Sequence, residues 1–318
     1  MTSRSNKGNL LEADYTEDVV GFALDSFLTV ANLFSYRVTI EPFSRGRERW
    51  LGADARIVNE ITGFKPFYMQ FKRPAAYPDY SPSDIIKTRK KLKLEISPKA
   101  LFFGLREKDK NHKDYQHNIL YKLRNRLRRF ANSDAVYVCP LFLDRSAYRF
   151  HLHTAALRRL AFGLDPWTIG RVFIEDRGRK VTFSDVPILA EHVCIPPHDL
   201  VTSAKHRYSF SEKGTDLCFH SPLSLPEGIM TFGSWFDKLS RNLLIDDYLV
   251  NIDEATERLK FIISGDDDYE NESGRIPYPE GLFRDGDEGG GLAVWSEWGR
   301  YLRETYSIHQ YAFFIWKE

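Results

Sequence analysis

Three residues in the stretch WLGADARIVNEITGFKPFYMQFKR, Trp50 to Arg73, have the types and spacing that phosphodiester chemistry uses: Asp54, Gln70 and Lys72. Two apolar-rich runs, Trp50–Val58 and Pro66–Phe71, flank a polar turn centred on Asn59–Gly63. Their alternation of β-branched and aromatic residues predicts a two-strand hairpin. Residues i and i+2 of a strand share a face, so Gln70 and Lys72 project together. Phosphodiester hydrolysis needs a nucleophilic water, neutralisation of the charge on a pentavalent transition state, and a stabilised leaving oxygen. An acid on one strand, facing a carbonyl oxygen and an ammonium on its neighbour, can hold a divalent cation and a water beside a phosphate.

The elements that must position these residues are legible on either side. Asp14 or Thr16 can cap a helix running to about Leu33, with Glu17 and Asp18 in its first turn, where acids suit the helix dipole. Val19, Val20, Ala23, Leu24, Phe27 and Leu28 give that helix a broad apolar face. SYRVTIEPF, Ser35–Phe43, alternates as a strand. Ala75–Ser83, rich in Pro and Tyr, reads as a loop, and Asp84–Arg106 reads as helix or strand until ALFFGL, which has strand character. From His112 to Phe130 the period is helical: Tyr115, Ile119, Leu120, Leu123 and Leu127 turn inward, and Lys122, Arg124, Arg126, Arg128 and Arg129 outward. DAVYVCPL, Asp134–Leu141, is the near-continuous apolar run of a buried strand.

The order is helix, strand, strand, strand, helix, strand. With Asp54 inside GAD and the triplet Gln70-Phe71-Lys72, the chain resembles the PD-(D/E)XK nuclease superfamily, the restriction-endonuclease-like fold, over about its first 140 residues. The resemblance implies an α/β restriction-endonuclease-like core, and the helical periodicity after residue 225 predicts a C-terminal region richer in helix. It implies Mg²⁺ or Mn²⁺ held by Asp54, the Gln70 side-chain oxygen, the Phe71 carbonyl and Glu17, with Lys72 acting on the water and the phosphate. Asp14, Asp18, Asp25, Glu41 and Glu48 are alternatives to Glu17 as the second acid. A neutral Gln in place of the usual acid is similar to the Mrr-like branch of these nucleases, and it removes one negative charge from the site.

The chain has 318 residues, 42% of them hydrophobic, and a formal net charge of only +1. Charge is nevertheless unevenly spread. Lys65–Phe130 holds 18 Lys+Arg against 6 Asp+Glu, and residues 265–289 hold 9 acids against 2 Arg. The first excess predicts a polyanion-facing surface, with Lys87, Arg89, Lys90, Lys91, Arg124, Arg126 and Arg128 contacting nucleic acid, and the resemblance adds Gln116, where such a fold often places a polar residue near the site. The competing expectation for these residues is the solvated face of two amphipathic elements. The second excess predicts a solvated acidic loop at 265–291. Three widely spaced cysteines form neither a disulfide framework nor a zinc pattern. No signal-type amino terminus and no apolar run long enough for a membrane occur, so a cytoplasmic protein is expected, with no membrane partner.

The expected organisation is a flexible segment 1–13, a nuclease-like α/β domain 14–224 and a mostly helical region 225–318. The pair His151 and His153 has no third ligand at metal spacing. Gly289-Gly290-Gly291 lacks the lysine of a phosphate-cradling loop. The expected function is a metal-dependent endonuclease acting on DNA, most naturally double-stranded, in prokaryotic restriction or anti-phage defence. A homo-oligomer or another defence protein would be its partner. Two alternatives stand beside it: an inactive DNA- or protein-binding module on the same fold, and a ribonuclease on the same core.

Overall fold

The computed structural model describes residues 9–32, 38–43, 60–110, 112–130, 133–150, 191–220, 223–225, 228–240, 243, 250–264, 274–283 and 290–317. It is a mixed α/β architecture with two sheets. The central sheet runs, in spatial order, β11 (Met230–Thr231), β7 (His192–Ile195), β6 (Ala135–Pro140), β3 (Ile61–Phe71), β12 (His309–Trp316) and β2 (Val38–Pro42). The lateral sheet runs β1 (Leu11–Glu12), β4 (Ala75–Pro78), β5 (Lys99–Gly104), β8 (Arg207–Ser211), β9 (Cys218–Phe219) and β10 (Leu223–Ser224). The helices are α1 (Glu17–Asn32), α2 (Asp84–Lys91), α3 (Gln116–Phe130), α4 (Phe232–Ser240), α5 (Ile252–Ser264) and α6 (Gly290–Tyr306).

β3 is the axis of the central sheet. Its period-2 alternation sends Phe64 and Tyr68 into one core, with Trp295, Trp298 and Leu302 of α6 and the inner residues of the lateral sheet. It sends Phe67, Met69 and Phe71 into a second core, with Val20, Ala23 and Leu24 of α1 and Trp235 and Phe236 of α4. β6 is buried on both faces for the same reason, which is why its sequence is continuously apolar. β3 and β6 run parallel, and α3 lies in the connection between them with Ile119, Leu120, Leu123 and Leu127 buried. A parallel pair requires such a crossover.

Of the hairpin expected from Trp50–Val58 and Pro66–Phe71, the second strand forms and is longer than expected, which corrects the turn. Ile61–Gly63 belong to the strand and not to a turn, and β3 is 11 residues long. One edge of β3 is taken by β12, antiparallel from Ile61 to Met69, and the other by β6 over Tyr68–Phe71. Residues 50–58 lie outside the described residues, and the ending HQYAFFIW pairs along β3. β12 holds its place because its aromatics fill both cores: Phe314 stacks on Phe43, and Tyr311 on Phe67. The segment after residue 225 therefore supplies an inner strand of the central sheet as well as helices. Leu11 and Glu12 pair with Ala76 and Ala75, so the segment expected as a loop at 75–83 begins as β4. Within the expected mostly helical region, Met230–Thr231 is strand and α4 begins at Phe232. His151 and His153 lie outside the described residues, as do most of the acidic residues of 265–291.

Between the sheets sits a histidine that cannot charge cheaply. The His117 ring Nδ1 is 2.8 Å from the Tyr137 hydroxyl, and Nε2 is 2.9 Å from the Asp199 carbonyl oxygen. A carbonyl only accepts, so Nε2 carries the proton and Nδ1 accepts from Tyr137. Burial pushes its pKa down from 6.5 to about 4. The unfolded chain takes up a proton near the ordinary value and the folded chain only near the lower one. Stability is thus complete above pH 6.5 and is lost as pH falls towards 4, by on the order of 3 kcal/mol. His220, also pushed down to about 4, loses stability over the same window. Urea unfolding at pH 7.5 and 4.5 should show a smaller acid loss for His117→Gln than for the parent. An equal loss would remove His117 as a cause.

Candidate functional site

The site begins where β3 ends. The carboxyl ends of parallel strands are where α/β sheets leave a crevice for ligands. The Lys72 backbone N–H donates to the Val138 carbonyl (2.9 Å), which continues the β3–β6 ladder one residue past the strand. This pins Lys72, whose residue is 4% exposed. Its Nζ reaches to 3.9 Å from Glu17 Oε1 in the first turn of α1, and stands 5.6 Å from the centre of the Tyr137 ring. Burial pushes the Lys72 pKa below the ordinary lysine value, the Glu17 carboxylate pulls it partly back, and Arg106 lowers it further. The Cys139 thiol nearby is pushed well up by burial and stays neutral.

Gln70 lies two residues before Lys72 on the same face, opposite Tyr137 in the β3–β6 register. It is 1% exposed, and neither its side-chain oxygen nor its nitrogen has a hydrogen-bond partner. A buried amide left unpaired costs about 1–3 kcal/mol per group, so it calls for a specific cause such as a water or an ion. Gln310 of β12 shows the same condition in part. Its nitrogen donates to the Trp295 carbonyl (3.0 Å), while its oxygen has no partner. Gly299 of α6 allows this approach, since a Cβ there would come within 3.1 Å of the Gln310 amide.

A cleft of about 660 Å³ opens at this end of the sheet, lined by Glu17, Asp18 and Phe22 of α1, by Phe71, and by Arg303, Ser307 and His309. α1 and α6 pack on opposite faces of the central sheet, so the cleft bridges the two layers. Ser307 adopts a left-handed backbone (φ 51°) that ends α6. Its N–H donates to the Arg303 carbonyl (2.9 Å), and Arg106 donates to its hydroxyl (3.2 Å). Sequence reasoning missed Arg303, Ser307, His309 and Gln310. The terminal stretch announces only aromatic packing, and its place beside β3 follows from long-range pairing.

The structure brings together Glu17, Phe71 and Lys72, with Gln70 next along the strand. Asp54 and Glu48 lie outside the described residues. Among the other acids, Asp18 lines the cleft. Asp14 accepts from the Arg145 N–H (2.6 Å), and Asp25 accepts from the Tyr311 hydroxyl (2.6 Å). Glu41 lies on β2, in register with Ala312 of β12.

Several expected nucleic-acid contacts are corrected. Arg89 is fully buried and donates to the carbonyls of Glu95 and Asp216 and to the Ser209 hydroxyl. Arg126 is buried and donates to the carbonyls of Ile262, Ile263 and Gly274, closing the end of α5. Gln116 is buried and donates to the Tyr306 carbonyl. Arg124 is held by Asp134 at 2.9 Å. Lys87, Lys90, Lys91 and Arg128 are exposed and remain available to a polyanion.

Glu17 and Gln70 supply oxygen donors, the kind that Mg²⁺ and Mn²⁺ take. Among the described residues no group of three His, Cys, Asp or Glu gathers as a metal cluster. The carboxylate and the orphaned amide fit such an ion in part, with Asp54 as the further acid that the sequence offers. The three cysteines, Cys139, Cys194 and Cys218, are buried and unpaired. Among the described residues no helix is long and apolar enough to cross a membrane. Comparison of the chain with models of known protein families, with curated proteins and with solved structures finds no match.

Proposed function

We propose that the chain is a divalent-metal-dependent phosphodiesterase acting on DNA, built on a restriction-endonuclease-like core, with its centre at the end of β3. One observation carries this reading: a buried lysine meets a carboxylate from another element at 3.9 Å, next to a buried glutamine with no partner. The order α1, β2, β3, α3, β6 in the chain accords with that core. A bound Mg²⁺ or Mn²⁺ would be held by Glu17, Gln70 and Asp54 and would supply charge neutralisation at the phosphate. Lys72 has the chemistry to take a proton from the attacking water, because its low-polarity setting favours the neutral amine. The Tyr137 ring covers one side of the amine, with Nζ 5.6 Å from the ring centre. A role in restriction or anti-phage defence belongs to the same proposal.

A second reading, a phosphate-binding module without hydrolysis, is favoured by a separate observation. Of the two strands flanking β3, β12 brings His309 and Gln310 and β6 brings Tyr137, and neither brings an acid to the end of β3. Incubating the purified chain with plasmid DNA, linear DNA and RNA in Mg²⁺, Mn²⁺ or EDTA separates the readings. Metal-dependent cleavage that EDTA stops is expected, with a rate rising as Lys72 loses its proton, below the ordinary 10.5. Binding in every condition with no cleavage would give the second reading precedence, and cleavage confined to RNA would make the enzyme a ribonuclease.

A further inference from the structure

We propose that the cleft between α1 and the α6–β12 turn binds an unpaired segment of nucleic acid, with a phosphate on Arg303 and Ser307 and a base stacked on Phe22. This deepens the phosphodiesterase reading and rests on it only for the chemistry that would follow binding. Phe22 is 64% exposed although it stands in a cleft wall, so a large aromatic face is offered to whatever enters. It follows Asp18 by one helical turn, which puts both on the same side of α1. Across the cleft, Arg303 and Ser307 are likewise one turn apart on the α6 side. The guanidinium of Arg303 has no ion-pair or hydrogen-bond partner among the described residues. The Ser307 hydroxyl accepts from Arg106, leaving its own proton to donate to an incoming anion. An arginine and a hydroxyl side by side suit a phosphate oxygen pair. The acids lie on the other wall, where they repel the backbone and direct it towards Arg303.

Size decides between one strand and two. A cleft of about 660 Å³ has room for one base and its phosphate, and a duplex, which is wider than its own ~12 Å major groove, is not taken in whole. The volume lies within the ordinary range for small-ligand pockets, about 300–1,000 Å³. Stacking on an aromatic ring tolerates every base and requires that the base be splayed from a helix.

The test is fluorescence anisotropy in EDTA with labelled single-stranded DNA, single-stranded RNA and duplex DNA, so that binding is read without cleavage. Single strands should bind more tightly than the duplex. Phe22→Ala should weaken single-strand binding by roughly 5–150-fold, the range that one stacked base supplies, with Phe22→Trp close to the parent. Arg303→Gln should weaken it and flatten its salt dependence by about one phosphate contact. Phe22 is exposed, and Arg303 is half-buried with no ion-pair or hydrogen-bond partner for its guanidinium among the described residues, so melting curves should stay close to the parent. Tighter binding of the duplex, no binding of single strands, or indifference to both substitutions overturns the proposal. If these binding results hold and no nucleic acid is cut in Mg²⁺ or Mn²⁺, the phosphodiesterase reading fails while the cleft assignment stands. The relative affinity of the DNA and RNA strands names the preferred backbone.

Discussion

Lys72→Met is expected to lower metal-dependent cleavage by about 10²–10⁴-fold, the range that a positioned proton-transfer group supplies, without lowering the melting temperature. The two effects part company for a physical reason. Lys72 is 4% exposed and desolvation is the largest influence on its pKa, so the folded protein carries a cost in keeping an ammonium there. Methionine retains most of the stem volume and removes that cost, and replacing buried ionic groups by apolar ones of similar size is often neutral or stabilising. The Glu17 partner does not become a stranded buried charge, since its side chain is 50% exposed. A residue kept at a cost to stability is the pattern expected where activity needs it. Lys72→Arg should not restore the rate, because a planar guanidinium stays protonated and does not fit the space of a compact amine. Parallel melting curves and plasmid-nicking rates check both halves. A Lys72→Met protein that nicks at the parent rate would remove Lys72 from the chemistry.

Arg89→Met is expected to cost about 3–5 kcal/mol of folding stability, in the range seen when one member of a buried charged network is removed. Methionine again follows the stem, so the loss reports the guanidinium and its acceptors more than a cavity. Two bonds go to the Glu95 carbonyl (3.0 and 2.7 Å), one to the Asp216 carbonyl (2.8 Å) and one to the Ser209 hydroxyl (3.1 Å). Together they tie the end of α2 to the turn that follows it and to β8 of the lateral sheet. Without the arginine the part-buried Glu95 and Asp216 carbonyls lose this donor and the Ser209 hydroxyl keeps only its bond with His220, and each such loss is costly. Lys90→Ala, one residue on and exposed, is the control and should stay within about 0.5 kcal/mol. Urea unfolding of the three proteins decides it. A loss under 1 kcal/mol for Arg89→Met would return Arg89 to the solvated face on which its basic neighbours sit.

The sequence by itself determined what local periodicity and chemistry can determine. The alternation through Phe64–Lys72 put Gln70 and Lys72 on one face, and they are. The apolar stripe of α1 and the leucine stripe of α3 marked their buried sides, because a 3.6-residue period survives any tertiary context. Acids in the first turn of α1 placed Glu17 at a helix end, and it is there that Lys72 finds it.

The tertiary structure decided what pairs with what. A β-strand has two edges and no sequence-local mark for its partner, so β12 could enter beside β3 from almost 250 residues away. That insertion brought His309 and Arg303 to the cleft. Burial of charge was equally nonlocal. Arg89, Lys90 and Lys91 are adjacent and alike in composition, yet only Arg89 is buried. Its acceptors come from Glu95, Ser209 and Asp216, and the last two are more than a hundred residues distant. A charged side chain leaves water only where such acceptors converge, and only the folded chain makes them converge.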